Sequence, residues 1–585
     1  MKILLIQPPI RDFYQTSIRT QPIGLAYIGA FLQTHGYEVE ILDCQTAKKR
    51  SIPIPFELLY LRDFYPFDDR SPFKLYSGYY HFGMGWDEIR KRVEDSKADV
   101  FGISSSFTPY HGEALEIARM IKERDRKKTV IMGGAHVSCD PEGVLESPFV
   151  DYAVLGEGEF RLPLLLKQIE EERGDVRRID GIGYRVNGEI RVNPLKTFVE
   201  DLDSFPHPSR ELLDLDRYRI RKKRSTMIIT SRGCPHGCSY CSTHLIMGDS
   251  FRMRSPEDIL QEMIECQRQY GIEIFDIEDD NFTFDEKRAK RLMSLIVETF
   301  GEGNLELSAM NGVSFASLDG ELLRLMKKAG FKTINLSFVS TDPYTKEKMK
   351  RPKTMTGFDE ILAEAERVSL QVIAYAILGM PGQTVEEMVD TLIYLMGRKV
   401  LIGPSVYYPT PGTPLFERCK KEGILPPHLV QWRSSAFPIE AKEFSRLDLL
   451  TLFRLARVIN FIKGKMDEGE LSEGMMWKEL FWVLKEKVEA KVKDENEVGG
   501  YTPCLPSARF LEEGTMRYAP RNKDDAITWI DLLLLLFKER SFFSLRKDSE
   551  GRTSILKVES SKKVLDYFFE RAWERLILKS RSSIV

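Results

Sequence analysis

The first 165 or so residues alternate short apolar runs with stretches of helical period. Ile3-Leu4-Leu5-Ile6 opens the series without a polar interruption, as expected of a strand buried on both faces. Strands are expected over 2–7, 38–43, 100–104, 129–132 and 152–155, with helices such as 24–35 and 112–125 between them. This alternation predicts a doubly wound (Rossmann-like) parallel sheet, with ligands beyond the carboxyl ends of its strands. Those ends carry Gln7-Pro8-Pro9, Ser104-Ser105-Ser106, Gly133-Gly134-Ala135-His136 and Gly156-Glu157-Gly158-Glu159. A stretch over 50–85 is rich in Tyr, Phe and Pro and has no period; it reads as a lid, a substrate-contacting loop or a surface excursion.

From 178 to 224 the pattern breaks. Residues 182–192 read as a hairpin turning at Asn187-Gly188. Pro206-His207-Pro208 follows, then a basic stretch from Arg217 to Arg224, read as a solvated connector. A second α/β region has strands expected over 227–230, 273–277, 306–309, 333–338, 371–376 and 403–408. Six such units make an open sheet or a partial (β/α)6 barrel, with chemistry at the carboxyl ends. After about residue 440 the pattern is helical, over 446–463, 476–492, 525–538 and 562–578. The expected organisation is a sheet domain (1–177), a linker (178–224), a barrel (225–440) and a helical C-terminal domain (441–585).

Composition narrows the function classes. The chain has 585 residues, 42% hydrophobic and 30% charged, which excludes disorder as the dominant state. Its 85 basic and 88 acidic residues leave a net charge of -3, with no basic excess for nucleic acid or an anionic membrane. No run approaches the roughly 20 apolar residues of a membrane span, and the first apolar run is too short for a signal peptide. A cytoplasmic chain with reduced thiols is expected. Its eight cysteines are too few for a disulfide scaffold.

Three of these cysteines fall together in Gly233-Cys234-Pro235-His236-Gly237-Cys238-Ser239-Tyr240-Cys241, after the first strand of the second region. Three thiolates on a short loop can hold three irons of a [4Fe–4S] cluster and leave the fourth open, as catalytic metal sites do. A zinc site completed by His236 or His244, or three buried thiols, are the other readings. Cys44, Cys139, Cys266, Cys419 and Cys504 are scattered and read as isolated thiols.

The C-x3-C-x2-C spacing, with Tyr240 before the last cysteine, resembles the signature of the radical S-adenosylmethionine (SAM) superfamily. Three later segments resemble the same family in the same order. They are Phe275 to Thr283, containing Glu278, Asp279 and Asp280; Leu378-Gly379-Met380-Pro381-Gly382-Gln383-Thr384; and Tyr408 to Pro414. The resemblance implies that Cys234, Cys238 and Cys241 ligate the cluster, and that Glu278, Asp279 and Asp280 approach the SAM amine. It also implies that Gly379, Pro381 and Gly382 shape the adenine pocket. Many relatives carry an acid after the fourth strand that contacts the ribose; here Val339 holds that place, with Ser337 or Ser340 as replacement. A doubly wound domain ahead of such a barrel resembles the cobalamin-binding members. Its contacts would come from Ser104, Ser105, Ser106, Thr108, Gly133, Gly134, His136, Gly156, Glu157, Gly158 and Glu159, and Gln21 to Gly29 also matches. The D-x-H-x-x-G motif that donates an axial His is absent, so His136 is expected as a hydrogen-bond donor rather than a cobalt ligand.

The resemblance thus implies an enzyme with [4Fe–4S], SAM and cobalamin that moves a methyl group to an unactivated carbon of a small-molecule, lipid or peptide substrate. One SAM would methylate the cobalamin; a second would give the radical that abstracts hydrogen from substrate. A flavodoxin- or ferredoxin-like protein would supply electrons. The alternatives are ring formation, carbon–carbon coupling or rearrangement with the same cofactors, and a non-catalytic iron–sulfur redox or scaffold protein. A tRNA methylthiotransferase is disfavoured, because the chain has no extra N-terminal cysteine triplet and no basic C-terminal module.

Overall fold

The computed structural model describes residues 1–14, 21–45, 48–171, 174–350, 357–496, 509–510, 516–517, 529–547, 553–572 and 579–581. The N-terminal sheet has seven strands. Its order is Glu38–Asp43, Lys2–Gln7, Val100–Ser104, Thr129–Gly133, Tyr152–Val154, Ile182–Val186 and Glu189–Val192. The first five are mutually parallel. Ile3 to Ile6 are all buried, because helices cover both faces of the sheet. Strand order reverses about Lys2–Gln7, which pairs with Glu38–Asp43 on one side and Val100–Ser104 on the other. That reversal opens a crevice at the carboxyl ends of Lys2–Gln7 and Val100–Ser104.

Two expectations are corrected here. The hairpin at Asn187-Gly188 forms, but its first strand pairs antiparallel with Tyr152–Val154 and completes the sheet. The connector therefore starts after Val192, not at residue 178. The basic stretch is not a free connector either: Arg219–Ile220 pairs antiparallel with Lys223–Ile228 as the edge of the second sheet. Its charges meet acids at the surface, Arg219 and Arg224 on Asp216 and Lys223 on Glu273.

The second region is an open barrel. Parallel strands Lys223–Ile228, Ile274–Ile277 and Glu306–Ser308 form one arc, and Thr333–Val339, Gln371–Leu378 and Leu401–Val406 form the other. The isolated parallel bridges Leu307–Phe331 and Val313–Leu336 link the arcs. Helix Arg446–Asp467 packs along the last strand. Its Asn460 accepts from the Ile402 N–H at 2.9 Å and donates to the Ile402 carbonyl at 2.7 Å, satisfying groups that an edge strand leaves open.

The C-terminal region is not purely helical. Helices Arg446–Asp467, Trp477–Asn496, Trp529–Glu539 and Lys562–Ala572 are joined by an antiparallel hairpin, Phe542–Lys547 with Thr553–Val558. The expected helical residues 525–528 and 573–578 lie outside the described residues. These elements share one continuous core with the barrel.

The aromatic stretch over 50–85 is neither lid nor surface excursion. Lys49–Ile52 and Tyr79–Phe82 form a small antiparallel sheet with Ile10–Asp12. Between them Leu58, Leu61, Tyr65, Phe73 and Tyr76 are buried in the barrel and C-terminal core. Arg454 donates to the Phe64 carbonyl at 2.8 Å, and Leu545 N–H donates to Asp69 at 3.1 Å. Among the described residues, no helix is long and apolar enough to cross a membrane.

Candidate functional site

The cysteine loop leaves the first barrel strand through the short strand Ser231–Arg232. Gly233 takes φ +81°, and a Cβ there would lie 2.2 Å from the Ser250 carbonyl, so only glycine fits this turn. Acids on the next strand end brace the loop. Asp279 accepts from the Thr230 N–H at 2.6 Å and from Ser231 Oγ at 2.6 Å. Asp280 accepts from the Gly233 N–H at 3.1 Å and from Thr243 Oγ1 at 3.0 Å, and Thr243 Oγ1 lies 3.2 Å from Cys241 Sγ. Asn281 donates to Cys234 Sγ at 3.9 Å.

Cys238 is buried, while Cys234 and Cys241 are partly open. Among the described residues no three His, Cys, Asp or Glu converge as ligands of a single ion. A multi-iron cluster has its corners further apart. The donor set, three thiols on one loop with the Asn281 amide donating to the Cys234 sulfur, fits such a cluster by its chemistry.

Of the acids expected near SAM, Asp279 and Asp280 are engaged in holding the loop. Glu278 differs. It accepts one hydrogen bond from Asn311 at 2.8 Å, and burial together with nearby Asp276 pushes its carboxyl up to about 8. Ser340 is buried, and its hydroxyl donates to Glu387 at 2.8 Å. Val339 sits at φ +71°, on the register break of the fourth strand, an uncommon conformation for a β-branched residue. Gly379 and Gly382 both take positive φ. A Cβ on Gly379 would meet Leu449 of the C-terminal helix at 2.7 Å, and the Pro381 carbonyl accepts from Arg418 at 2.9 Å.

A cavity of about 450 Å³ lies over the sheet crevice. The sheet domain contributes Ser106, Thr108 and His136, together with Asp12, Tyr14 and Cys139. The barrel contributes Ser242, next to Cys241, and Tyr408 and Thr410 beyond its sixth strand. Trp432, Arg433 and Ser434 close it from the segment after the barrel. Gly134, at φ +116°, lets the chain pass where a Cβ would lie 2.8 Å from the Ser105 carbonyl. His136 Nδ1 lies 3.2 Å from Thr108 Oγ1, and its ring packs against that of His111, tilted by 57° with centroids 4.4 Å apart. His111 Nδ1 in turn pairs with Ser105 Oγ at 3.0 Å. Burial lowers His136 to about 4 and His111, with His136 beside it, to about 3, so both are neutral at pH 7. A cradle of backbone, hydroxyls and the neutral His136 imidazole fits a flat, amide-fringed macrocycle such as cobalamin.

Not all the expected contacts gather here. Ser104 bonds to Ser106, their hydroxyls 3.1 Å apart, and Gly133 lies under the cradle. Gly156, Glu157, Gly158 and Glu159 do not line the cavity. Glu157 and Glu159 are instead buried against Arg232 at 2.9 and 2.6 Å, and Glu157 also holds Arg252 at 2.8 Å. Burial alone would raise the Glu157 carboxyl; Arg232 and Arg252 outweigh it and hold it below the usual range. Sequence reasoning missed Asp12, Tyr110 and Arg433. Arg433 donates to Asp12 at 2.9 Å and Tyr110 donates to Asp12 at 2.7 Å, across 421 and 98 residues of chain, with no local motif to announce them.

A sheet with its crevice turned onto the cysteine loop of an open parallel barrel defines a two-cofactor α/β architecture. Comparison with known families agrees: residues 78–166 match the B12 binding domain, and residues 228–395 match the Radical SAM superfamily. The chain therefore carries a segment that matches a B12 binding domain, followed by one that matches a Radical SAM domain. It is 26% identical over 473 residues to an uncharacterized methyltransferase of Pyrococcus horikoshii, covering 80% of this chain and 94% of the relative. It is 26% identical over 470 residues to cytidylyl-2-hydroxyethylphosphonate methyltransferase of Streptomyces wedmorensis, covering 73% and 83%. Its fold resembles that of the radical S-adenosylmethionine methyltransferase TsrM from Kitasatospora setae, solved with cobalamin and a [4Fe-4S] cluster. There the TM-score is 0.55 and the identity 20%, over 72% of this chain and 75% of that one.

Proposed function

We propose that this protein is a cobalamin-dependent radical SAM methyltransferase acting on an unactivated carbon. The carrying observation is the single cavity that joins the sheet crevice at Ser106 and His136 to the cluster loop at Ser242. Relatives covering most of their own length are named methyltransferases, which supports transfer of a methyl group as the reaction.

With both groups bound, the cluster supplies the electron that cleaves SAM, and cobalamin carries the methyl group. The protein's own part is placement. Cys234, Cys238 and Cys241 would hold three irons, leaving the fourth for SAM. Asp279 and Asp280 keep that loop in shape, and Asn281 donates toward Cys234 sulfur. Glu278 would accept from the SAM amine, which favours its charged form and lowers its pKa on binding. The cradle Ser106–Thr108–Gly134–His136 would hold the macrocycle. His136, kept neutral and partnered by Thr108, serves as a hydrogen-bonding wall. Tyr14, Tyr408 and Trp432 line the space between and exclude water from a substrate radical. We place the protein in the cytoplasm, where a flavodoxin- or ferredoxin-like donor supplies electrons.

The test is anaerobic reconstitution with iron, sulfide and hydroxocobalamin, followed by turnover of methyl-labelled SAM with host-cell small-molecule and lipid extracts. Methyl transfer predicts label in product and equal amounts of S-adenosylhomocysteine and 5′-deoxyadenosine. Deoxyadenosine formed during productive turnover without S-adenosylhomocysteine would replace this reading with ring formation, coupling or rearrangement.

A further inference from the structure

We propose that Arg232 is a positioning residue that ties the cysteine loop to the sheet domain, so that loading of the cluster and loading of cobalamin strengthen each other. The proposal rests on the cofactor reading above and adds a coupling between the two sites.

Arg232 lies two residues before Cys234, and its side chain is only 6% exposed. It reaches out of the barrel, not into it. Its guanidinium donates to Glu157 Oε1 at 2.9 Å and Glu159 Oε1 at 2.6 Å, at the N-cap and in the first turn of the helix Gly158–Glu170 of the sheet domain. Arg252 pairs with Arg232 in a short antiparallel ladder and takes both Glu157 oxygens, at 2.8 and 3.0 Å. Two cations meet two carboxylates, so the array is neutral and no buried charge stands alone. Tyr27 and Phe205 lie 5.6 and 5.0 Å from the Arg232 guanidinium and close it in.

The same segment grips the cavity. Gly156 N–H donates to Ser138 Oγ at 2.8 Å. Ser138 belongs to the short helix Ala135–Cys139, whose His136 and Cys139 line the cavity. A Cβ on Gly156 would lie 3.1 Å from the Ile246 carbonyl, in the helix that follows Cys241. Residues 156–159 thus touch the cavity helix on one side and both ends of the cysteine loop on the other. Movement at either cofactor site is transmitted through a packed, charge-paired array. Because such coupling is reciprocal, the factor by which a cluster that sets the loop tightens cobalamin is the factor by which cobalamin tightens the cluster. An arginine suits the task because its planar fork engages two carboxylates at once, where lysine is a single point charge.

The test uses the full chain as wild type, Arg232→Lys and Glu159→Gln. The second variant keeps shape and hydrogen bonding, so it remains informative where the first fails to fold. Hydroxocobalamin is titrated by absorbance into cluster-loaded and cluster-free protein, and the reduced cluster is recorded by EPR with and without cobalamin. In the wild type, cluster loading should tighten hydroxocobalamin about 5- to 150-fold, the usual span of coupling between sites. In either variant the ratio should fall toward one. Glu159→Gln should also shift the cluster EPR spectrum although Glu159 belongs to the other domain. A wild-type ratio of one, or variants with the wild-type ratio and spectrum, overturns the coupling. A wild type that takes up neither cluster nor cobalamin defeats the underlying cofactor reading instead.

Discussion

Gly134→Ala should cripple cobalamin binding while Gly133→Ala, one residue away, should not. Gly134 sits at φ 116° and ψ 179°, a region open essentially to glycine, where another residue costs about 1–3 kcal/mol. The added Cβ would also lie 2.8 Å from the Ser105 carbonyl oxygen and 2.9 Å from its carbon, both rigid backbone. Such overpacking costs roughly another 1–3 kcal/mol. The chain relieves it by moving Ser105–Ser106 away from Gly134. Ser105 carbonyl accepts from the His136 N–H at 3.1 Å, so the movement drags the wall of the cavity with it. If about 2 kcal/mol of the strain is expressed at the cavity, the Kd for hydroxocobalamin rises about thirtyfold. A Cβ on Gly133 meets nothing nearer than the Val154 carbonyl at 3.6 Å, an ordinary contact. Absorbance titration of both variants, with thermal unfolding of the cobalamin-free proteins alongside, makes the comparison. Wild-type affinity in Gly134→Ala, or equal losses in the two variants, would refute the cradle.

Replacing Cys234, Cys238 and Cys241 together by Ala should abolish bound iron and the brown colour, while Cys44→Ala or Cys419→Ala leaves both; four irons retained in the triple variant would contradict the assignment. Asp12→Ala leaves Arg433, whose side chain is 3% exposed, as an uncompensated buried cation. It should destabilise the protein by about 3–5 kcal/mol, read as an earlier thermal unfolding transition. Glu278 is raised in the folded state from its ordinary 4.5 to about 8, so its contribution to stability is full below 4.5 and lost as pH rises through 8. Relative to Glu278→Gln, the SAM-free wild type should therefore lose thermal stability between pH 5 and pH 8; parallel stability curves for the two proteins would remove the basis for this shift.

Much of the architecture could be read from periodicity. The strands at 2–7, 38–43 and 100–104 fall where uninterrupted or alternating apolar residues placed them. The cysteine loop was legible because its three thiols lie within eight positions of one another. What escaped depends on partners far along the chain. Glu157 and Glu159 looked like a ligand loop, because the arginines that neutralise them come 73 to 95 residues later. Asp279 and Asp280 carried the right charge for a SAM contact, but their oxygens meet N–H and hydroxyl groups of the cysteine loop itself. Residues 182–192 had an evident hairpin turn, yet a turn does not say which sheet the hairpin will join. Trp432 and Arg433 lie in an aperiodic stretch that offers no pattern to read.

The aromatic stretch after the second sheet strand carries a consequence for how the chain is made. Tyr65 donates to the Ser435 carbonyl, and Arg70 N–H to the carbonyl of Leu545, so partners of this early segment are synthesised 370 to 475 residues later. The sheet domain can emerge and pair its strands, but its aromatic flank stays uncovered until almost the whole protein has left the ribosome. Closing contacts over such separations is slow, and an exposed flank of Tyr and Phe is adhesive in the meantime. Truncation before the C-terminal helices should thus fail through the N-terminal half: a fragment ending at residue 440 would keep every cofactor loop and still aggregate.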